Sequence, residues 1–444
     1  MQIFLVIARE AVKHMMVSVI GAGYVGLVAA CCLAHSGHEV TCIERDEQKR
    51  EKIKKGQLPF YEHGLEELLA KGLESGRLNF YADLSQDMNA AAVMMVAVGT
   101  PSLPDGRVDL SQIYYVMKVI SEQPVRPPVL VMKSTVPPGL GMSLQKLFLS
   151  GRETGTAYVS NPEFLREGQA VRDWYNPDRI VLGGGSRKAI ELVKGLYWDI
   201  DAPVCVMDIA SAEMVKYASN AFLATKISFI NEIANLCELL GADISSVAPA
   251  VGMDRRIGSH FLQAGLGYGG SCFPKDTRGL DFISTLNGHT FNFLKAVIEV
   301  NFRQRILAVR KLSEQMGSLH GKRIGVLGLS FKPGTDDMRE SPSLDIISML
   351  LNEGARVSVY DPMADAGRKA LLLSGCCIKS DALSAVSDCQ AVVVATDWPE
   401  FLEMDWKEVR DRMDQPYLVL DGRNCLDPVK LRKSGFRYVG MGKR

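Results

Sequence analysis

The chain has 444 residues, too many for one ordinary hydrophobic core, so two or three domains are expected. Lys plus Arg and Asp plus Glu both number 51, and no long basic block stands out, which argues against a nucleic-acid partner. The ten cysteines are scattered without a CxxC, which suggests neither a metal site nor a disulfide framework and fits a reducing cytoplasm.

The opening stretch, 1–15, has a short apolar run broken by Arg9 and Glu10. It lacks a basic n-region and is too short to span a bilayer, so no membrane association is expected. It reads as an N-terminal extension, dispensable for activity, ahead of a first strand that begins at Met16 or Val17. That strand feeds the turn GAGYVG, followed by a helical stretch, LVAACCLAHSG, and a second strand, EVTCIE. This order gives the glycine pattern its meaning: Gly21 makes the turn, Gly23 admits a pyrophosphate and Gly26 lets helix and sheet pack. Backbone donors and the dipole at the helix start favour the anion, with Tyr24 and Val25 in the same turn. Glu44, at the end of the second strand, is placed to accept from ribose hydroxyls and repel a 2′-phosphate, so NAD is expected rather than NADP. Further apolar strands at 91–101 and 128–139 end in small polar or glycine residues, as the carboxyl edge of a parallel sheet requires.

From 209 to 240 there is no proline and apolar residues recur at helical spacing, with Gly241 as a stop. One long helix joining two domains is expected, with Lys216 and Asn220 on one face. Residues 258–276 then read GSHFLQAGLGYGGSCFPKD. Gly265, Gly267, Gly269 and Gly270 let the backbone turn sharply and approach a ligand, and Cys272 follows at once. With Ser271 as the expected helix N-cap and Pro274 in the first turn, Cys272 falls where unpaired backbone N–H groups favour a thiolate, the form a nucleophile needs. Asp276 shares a helical face with it, and Lys275 is expected to be solvated. A second helical region spans 291–317, and strands then recur from GKRIGVLGLSF through 356–361, 391–397 and 417–422. That is a second doubly wound unit; its first turn lacks a full GxGxxG, so it is expected to take a nucleotide other than a dinucleotide. The expected fold is α/β, with Rossmann-like domains at 16–207 and 318–444. A long central helix and a helical dimerisation region carrying the cysteine, 208–317, join them.

GGSCFPKD, preceded by FLQAG and by RIG at 256–258, resembles the active-site segment of the nucleotide-sugar 6-dehydrogenases, and the likeness runs from residue 16 to the C-terminus. The resemblance implies NAD-dependent oxidation of the C6 alcohol of UDP-glucose. The sugar would be carried on Cys272 as a thiohemiacetal and then a thioester, which water releases as the glucuronate. GDP-mannose is the nearest rival sugar nucleotide, and a non-catalytic binder would not be expected to keep Cys272, Lys216 and Asp276 together. By the same resemblance Thr100 and Thr135 lie beside the cofactor, Thr135 also holding a catalytic water, while Arg339 reaches the cofactor and Lys275 is counted with it. Glu163 matches the family's acid/base glutamate, and Phe164, Leu165 and Glu167 match contacts to the sugar nucleotide. Lys216 and Asn220 match groups that bind water and stabilise an oxyanion, and Asp276 matches a water-activating aspartate. Phe261, Gly269, Phe331, Lys332 and Arg423 fall on substrate positions, the C-terminal half holding the uridine diphosphate. Arg256 matches an arginine that reaches a neighbouring subunit's substrate, so a homodimer or higher homo-oligomer is expected. Gln263 stands where relatives commonly have Lys, Arg or Asn, which leaves a phosphate contact open there.

Overall fold

The computed structural model describes residues 14–84, 91–123, 125–150, 155–364 and 374–443. Of the expected N-terminal extension, 1–13 lie outside the described residues. Met15 is buried and its carbonyl accepts from the Glu39 amide at 3.0 Å, so the pairing of the first two strands already reaches it. The chain forms two compact units, Met1–Ser219 and Asn220–Arg444.

The first unit holds an eight-stranded sheet. Its strands are β1 (Met16–Ile20), β2 (Glu39–Ile43), β3 (Leu78–Tyr81), β4 (Val93–Val96), β5 (Val129–Met132), β6 (Ala157–Ser160), β7 (Ile180–Gly183) and β8 (Val204–Met207). Their spatial order is β3-β2-β1-β4-β5-β6-β7-β8, parallel except where β6 meets β7. β4 and β5, VMMV and VLVM, are buried at every position, which is why they read as unbroken apolar runs rather than alternating ones. Helix α1 (Tyr24–His35) is buried from Gly26 to Ala34. Cys31 and Cys32 lie inside that span, where burial pushes both thiols up and leaves them as inert packing groups. The strand order reverses between β1 and β4, which places a crevice over their carboxyl ends.

Helix α2 (Ile209–Leu240) runs uninterrupted to Gly241, as its apolar spacing predicts. In the second unit, helices α3 (Phe273–Leu286) and α4 (Asn292–Met316) precede a six-stranded parallel sheet. It comprises β9 (Arg323–Leu327), β10 (Arg356–Tyr360), β11 (Cys377–Ile378), β12 (Ala391–Val394), β13 (Leu418–Asp421) and β14 (Arg437–Gly440). The order β11-β10-β9-β12-β13-β14 repeats the doubly wound arrangement.

The two halves differ at the carboxylate that follows the second strand of each. Asp361, after β10, accepts from the amides of Leu329 (2.7 Å) and Ser330 (3.0 Å), from the Ser330 hydroxyl (2.9 Å) and from Trp398 Nε1 (3.2 Å) on one oxygen. The Met363 and Ala364 amides, each at 2.9 Å, hold the other. Burial pushes this carboxyl up, but the converging donors outweigh it and keep it below the usual range. A protein carboxylate thus takes the N–H groups of the turn after β9, the groups a pyrophosphate would use.

Candidate active site

The turn after β1 suits an anion. Gly23 precedes α1 without a side-chain cap, and a Cβ there would meet nothing within 4 Å, so the first N–H groups of α1 are approachable. Tyr24 and Val25, half-buried, open the helix. Gly26 packs so closely that its Cβ would strike the Gly21 carbonyl. Glu44 follows β2, with Lys49 Nζ 2.8 Å from Oε2 and the Asp46 amide 3.1 Å from Oε1. The expected carboxylate is present, with a cation beside it that dampens its repulsion of a 2′-phosphate. Thr100 is buried and Thr135 half-buried in the loops after β4 and β5. These residues fit NAD, whose pyrophosphate the first N–H groups of α1 would hold.

Also in the first unit, the loop after β6 brings Glu163 to Lys216 of α2. Lys216 Nζ donates to Glu163 Oε1 at 2.8 Å with both side chains buried, and the Leu165 amide donates to Oε2 at 2.5 Å. Burial pushes the Glu163 carboxyl up; Lys216, the Leu165 amide and Lys133 more than offset this and hold it below its ordinary value. The Phe164 ring lies under the Arg179 guanidinium at 3.7 Å and under Lys216 Nζ at 5.4 Å. Leu165 and Glu167 are half-buried in the same loop.

Two further buried groups here carry no mark in the sequence. Lys133, just past β5, donates to Asn161 Oδ1 and to the Tyr197 hydroxyl, each at 3.1 Å. Burial drives its ammonium down to about 8, with Glu163 opposing the shift and Lys216 adding to it. A lysine at a strand end reads as solvated, and no periodicity marks it otherwise. Glu213, three residues before Lys216, accepts from the amides of Gly139 (2.7 Å) and Gly141 (3.0 Å), and so pins the loop that carries Thr135. Burial pushes its carboxyl up to about 7 against those amide bonds. Thr135, Ser160, Glu213 and Lys216 line one small cavity.

In the second unit, Cys272 itself is the N-cap of α3, not Ser271 as expected, and Pro274 lies in the first turn as expected. The turn through Gly270 (φ +83°) and Ser271 delays the helix by one residue, which sets the thiol at the helix entrance; Ser271 Oγ is 3.6 Å from Sγ. One turn on, Asp276 is buried and accepts from Asn220 Nδ2 and Lys275 Nζ, both at 2.6 Å. Lys275 is therefore not solvated as expected: its side chain is only 16 % exposed, held down by the buried charge of Asp276.

Buried polar side chains clamp the glycine run. Asn231 Oδ1 accepts from the Gly265 amide (2.8 Å), Asn301 bonds both the amide and the carbonyl of Tyr268 (2.7 and 3.1 Å), and Gln304 and Arg305 donate to the carbonyls of Gly265 and Tyr268 (3.1 Å each). A Cβ on Gly269 would lie 2.3 Å from the Glu340 carbonyl, and one on Gly270 would lie 2.8 Å from the Phe331 ring, so only glycine lets the run lie flush on the loop after β9. The Gly270 amide donates to the Arg339 carbonyl at 2.9 Å. Arg423 donates to the carbonyls of Ala395 (2.7 Å) and Phe331 (2.8 Å), and Lys332 Nζ stands 5.4 Å from the Phe331 ring centre. Phe261, at φ +64°, sets its ring 6.1 Å from Phe273. Gln263 donates to the Arg423 carbonyl at 3.0 Å, a structural use of the departure in that position. The Arg339 guanidinium is held by Asp337 at 2.8 Å. Arg256 stays outside this group, 89 % exposed and paired with Asp254 at 2.6 Å.

Three family models match in succession. They are the NAD binding domain of the UDP-glucose/GDP-mannose dehydrogenase family over residues 15–201, its central domain over 210–303 and its UDP binding domain over 325–428. The chain is 44 % identical over 429 residues to UDP-glucose 6-dehydrogenase TuaD of Bacillus subtilis, covering 96 % of this chain and 93 % of that one. It is 42 % identical over 447 residues to UDP-glucose 6-dehydrogenase of Pseudomonas aeruginosa, covering 97 % and 98 %. Among solved structures, a UDP-glucose dehydrogenase from the archaeon Pyrobaculum islandicum superposes with a TM-score of 0.89 at 39 % identity, covering 97 % of this chain and 98 % of that one.

Proposed function

The chain belongs to the UDP-glucose/GDP-mannose dehydrogenase family, and we propose that it oxidises UDP-glucose at C6 to UDP-glucuronate, reducing two NAD and consuming one water per sugar. The observation that carries this reading is the near full-length identity to relatives named for that activity. NAD, when bound, accepts a hydride from the sugar carbon at each of the two oxidations.

The protein's own groups do the rest. In the first oxidation the C6 hydroxyl gives its proton to the buried centre at Glu163 as its carbon gives up a hydride. The Cys272 thiolate then adds to the aldehyde carbon, forming a C–S bond and an alkoxide stabilised by Lys216 and Asn220. Loss of the second hydride leaves a thioester. Asp276 takes a proton from water, the hydroxide adds to the thioester carbonyl, and the C–S bond breaks to release the carboxylate and restore the thiolate. Gly21, Gly23, Tyr24, Val25, Gly26, Glu44, Thr100, Thr135, Lys275 and Arg339 serve the cofactor. Phe164, Leu165, Glu167, Phe261, Gly269, Phe331, Lys332 and Arg423 serve the sugar nucleotide, and Arg256 serves that of a neighbouring subunit. The working division is 16–207 for the cofactor, 208–317 for the cysteine and dimerisation, and 318–444 for the uridine diphosphate.

We infer a homodimer from the apolar row on α2, where Phe222, Phe229 and Leu236 recur every seventh residue and are 66 %, 53 % and 48 % exposed. Large apolar side chains repeated along one exposed helix face suit a second copy of the same helix. We infer a cytoplasmic location, whose reducing conditions suit ten free cysteines. Among the described residues no helix is long and apolar enough to cross a membrane. NADH formation with a panel of nucleotide sugars tests the reading. UDP-glucose is expected to give by far the highest kcat/KM; preferential turnover of GDP-mannose would overturn the substrate assignment and spare the mechanism.

A further inference from the structure

Glu62 lies outside the chemistry above, yet its buried carboxylate joins two elements that the reaction uses separately. Oε2 accepts from the Tyr24 hydroxyl in a short hydrogen bond and from the Gly168 amide at 2.7 Å. Oε1 accepts from the Ala170 amide at 2.8 Å, and the Gly168 amide also reaches the Tyr24 hydroxyl at 2.9 Å. Tyr24 is the first residue of α1, whose entrance fits the cofactor pyrophosphate. Gly168 closes the loop that bears Glu163, Phe164, Leu165 and Glu167. Burial and the adjoining Glu62 charge push the Tyr24 phenol up, so it stays a donor. In the same loop Arg166 makes a two-pronged pair with Asp173, Nε to Oδ2 at 2.9 Å and Nη2 to Oδ1 at 2.6 Å.

We propose that Glu62 is a positioning residue through which cofactor binding at the start of α1 and sugar-nucleotide binding by the loop at 163–168 are thermodynamically linked, with the Tyr24 hydroxyl as the link. A ligand on the first N–H groups of α1 fixes the Tyr24 backbone. The phenol then holds Glu62 in the one position where it meets both the Gly168 and Ala170 amides. Whatever free energy this ordering contributes to the second ligand, the second ligand returns to the first, because linkage is reciprocal. The inference rests on the UDP-glucose reading of the site.

The test is calorimetric titration of the full-length protein with UDP-glucose, alone and with saturating NADH, which forms no product with it. NADH is expected to change the Kd for UDP-glucose by about fivefold or more, and UDP-glucose to change that for NADH by the same factor. In Tyr24→Phe and in Glu62→Gln, with folding checked by thermal melting, that ratio is expected to fall to within about twofold of unity. A purely structural role would raise each Kd and leave the ratio alone, so the ratio is the readout. A ratio of one in the unmodified protein, or the full ratio kept in both variants, overturns the proposal; if Glu62→Gln does not fold, Tyr24→Phe decides. Should UDP-glucose not bind while another sugar nucleotide of the panel does, the substrate reading fails and the same ratio is read with that sugar.

Discussion

Asn220 Nδ2 donates to Asp276 Oδ2 at 2.6 Å, and both side chains are buried. The other carboxylate oxygen is held by Lys275 Nζ, also at 2.6 Å, so Asp276 is fixed in orientation at the first turn of the helix that Cys272 caps. A carboxylate so oriented suits a base acting on water beside Cys272. Asp276→Asn keeps the shape and removes the base, and is expected to slow thioester hydrolysis by roughly 10²–10⁴-fold. The peptide containing Cys272 should then gain the mass of the bound sugar nucleotide; an unmodified peptide with undiminished product release would rule this role out.

The cofactor preference is expected to depend on Glu44 and Lys49 together. Glu44→Ala should lower the ratio of kcat/KM for NAD over NADP on the order of tenfold, since it removes one charge repulsion near the ribose. Lys49→Gln, which takes the cation off that carboxylate, should raise the ratio instead. Steady-state kinetics with both cofactors decides it; an unmoved ratio in both variants would remove Glu44 from the cofactor site.

The pH dependence of stability should carry the mark of Glu213. Its carboxyl is pushed from 4.5 up to about 7 in the folded protein by burial. A raised pKa means that the folded state holds the proton more tightly, so the contribution is fully present below about pH 4.5 and is lost as pH rises towards 7. The loss is about 3 kcal/mol across that window. Denaturant unfolding of the protein and of Glu213→Gln between pH 4.5 and 8 should show the difference in stability shrinking, or changing sign, as pH rises, then levelling off. Parallel curves would show that Glu213 does not titrate there.

What the sequence made legible is what the backbone or the apolar period writes locally. The GAGYVG turn between two strands, the unbroken apolar spacing of α2 and the glycine run before Cys272 each mark a geometry that few other residues allow. The polar clamps were not legible, because each is satisfied only by a partner far along the chain. On α4 the buried face runs through Leu294, Val297, Ala308 and Leu312, and Asn301, Gln304 and Arg305 sit on that same face. In sequence they look like interruptions of the core; in the structure they bond the carbonyls and amides of the glycine run, with Asp345 also pairing Arg305 and Asn235 donating to Gln304. Lys133, Glu62 and Glu213 escaped for the same reason. The shift of the cap from Ser271 to Cys272 is a one-residue matter that turn geometry decides.

The apolar row on α2 should hold two copies together. Phe222→Glu combined with Phe229→Glu places charges on the two exposed rings and is expected to halve the mass seen by light scattering, with the helical circular dichroism retained. An unchanged mass would place the interface elsewhere, and a monomeric unmodified protein would remove it.

The central claim is that Cys272 holds the aldehyde so that the same carbon is oxidised twice. Cys272→Ala is expected to abolish overall turnover while cofactor and sugar nucleotide still bind, and Cys272→Ser to stall before free product appears, the hydroxyl being a weaker nucleophile and a poorer leaving group. The most direct measurement is the stoichiometry of the unmodified protein with UDP-glucose limiting and NAD in excess, NADH being counted against sugar consumed. Two NADH per UDP-glucose, with no free aldehyde released, is the predicted result; one NADH per UDP-glucose, with the aldehyde as product, would contradict it.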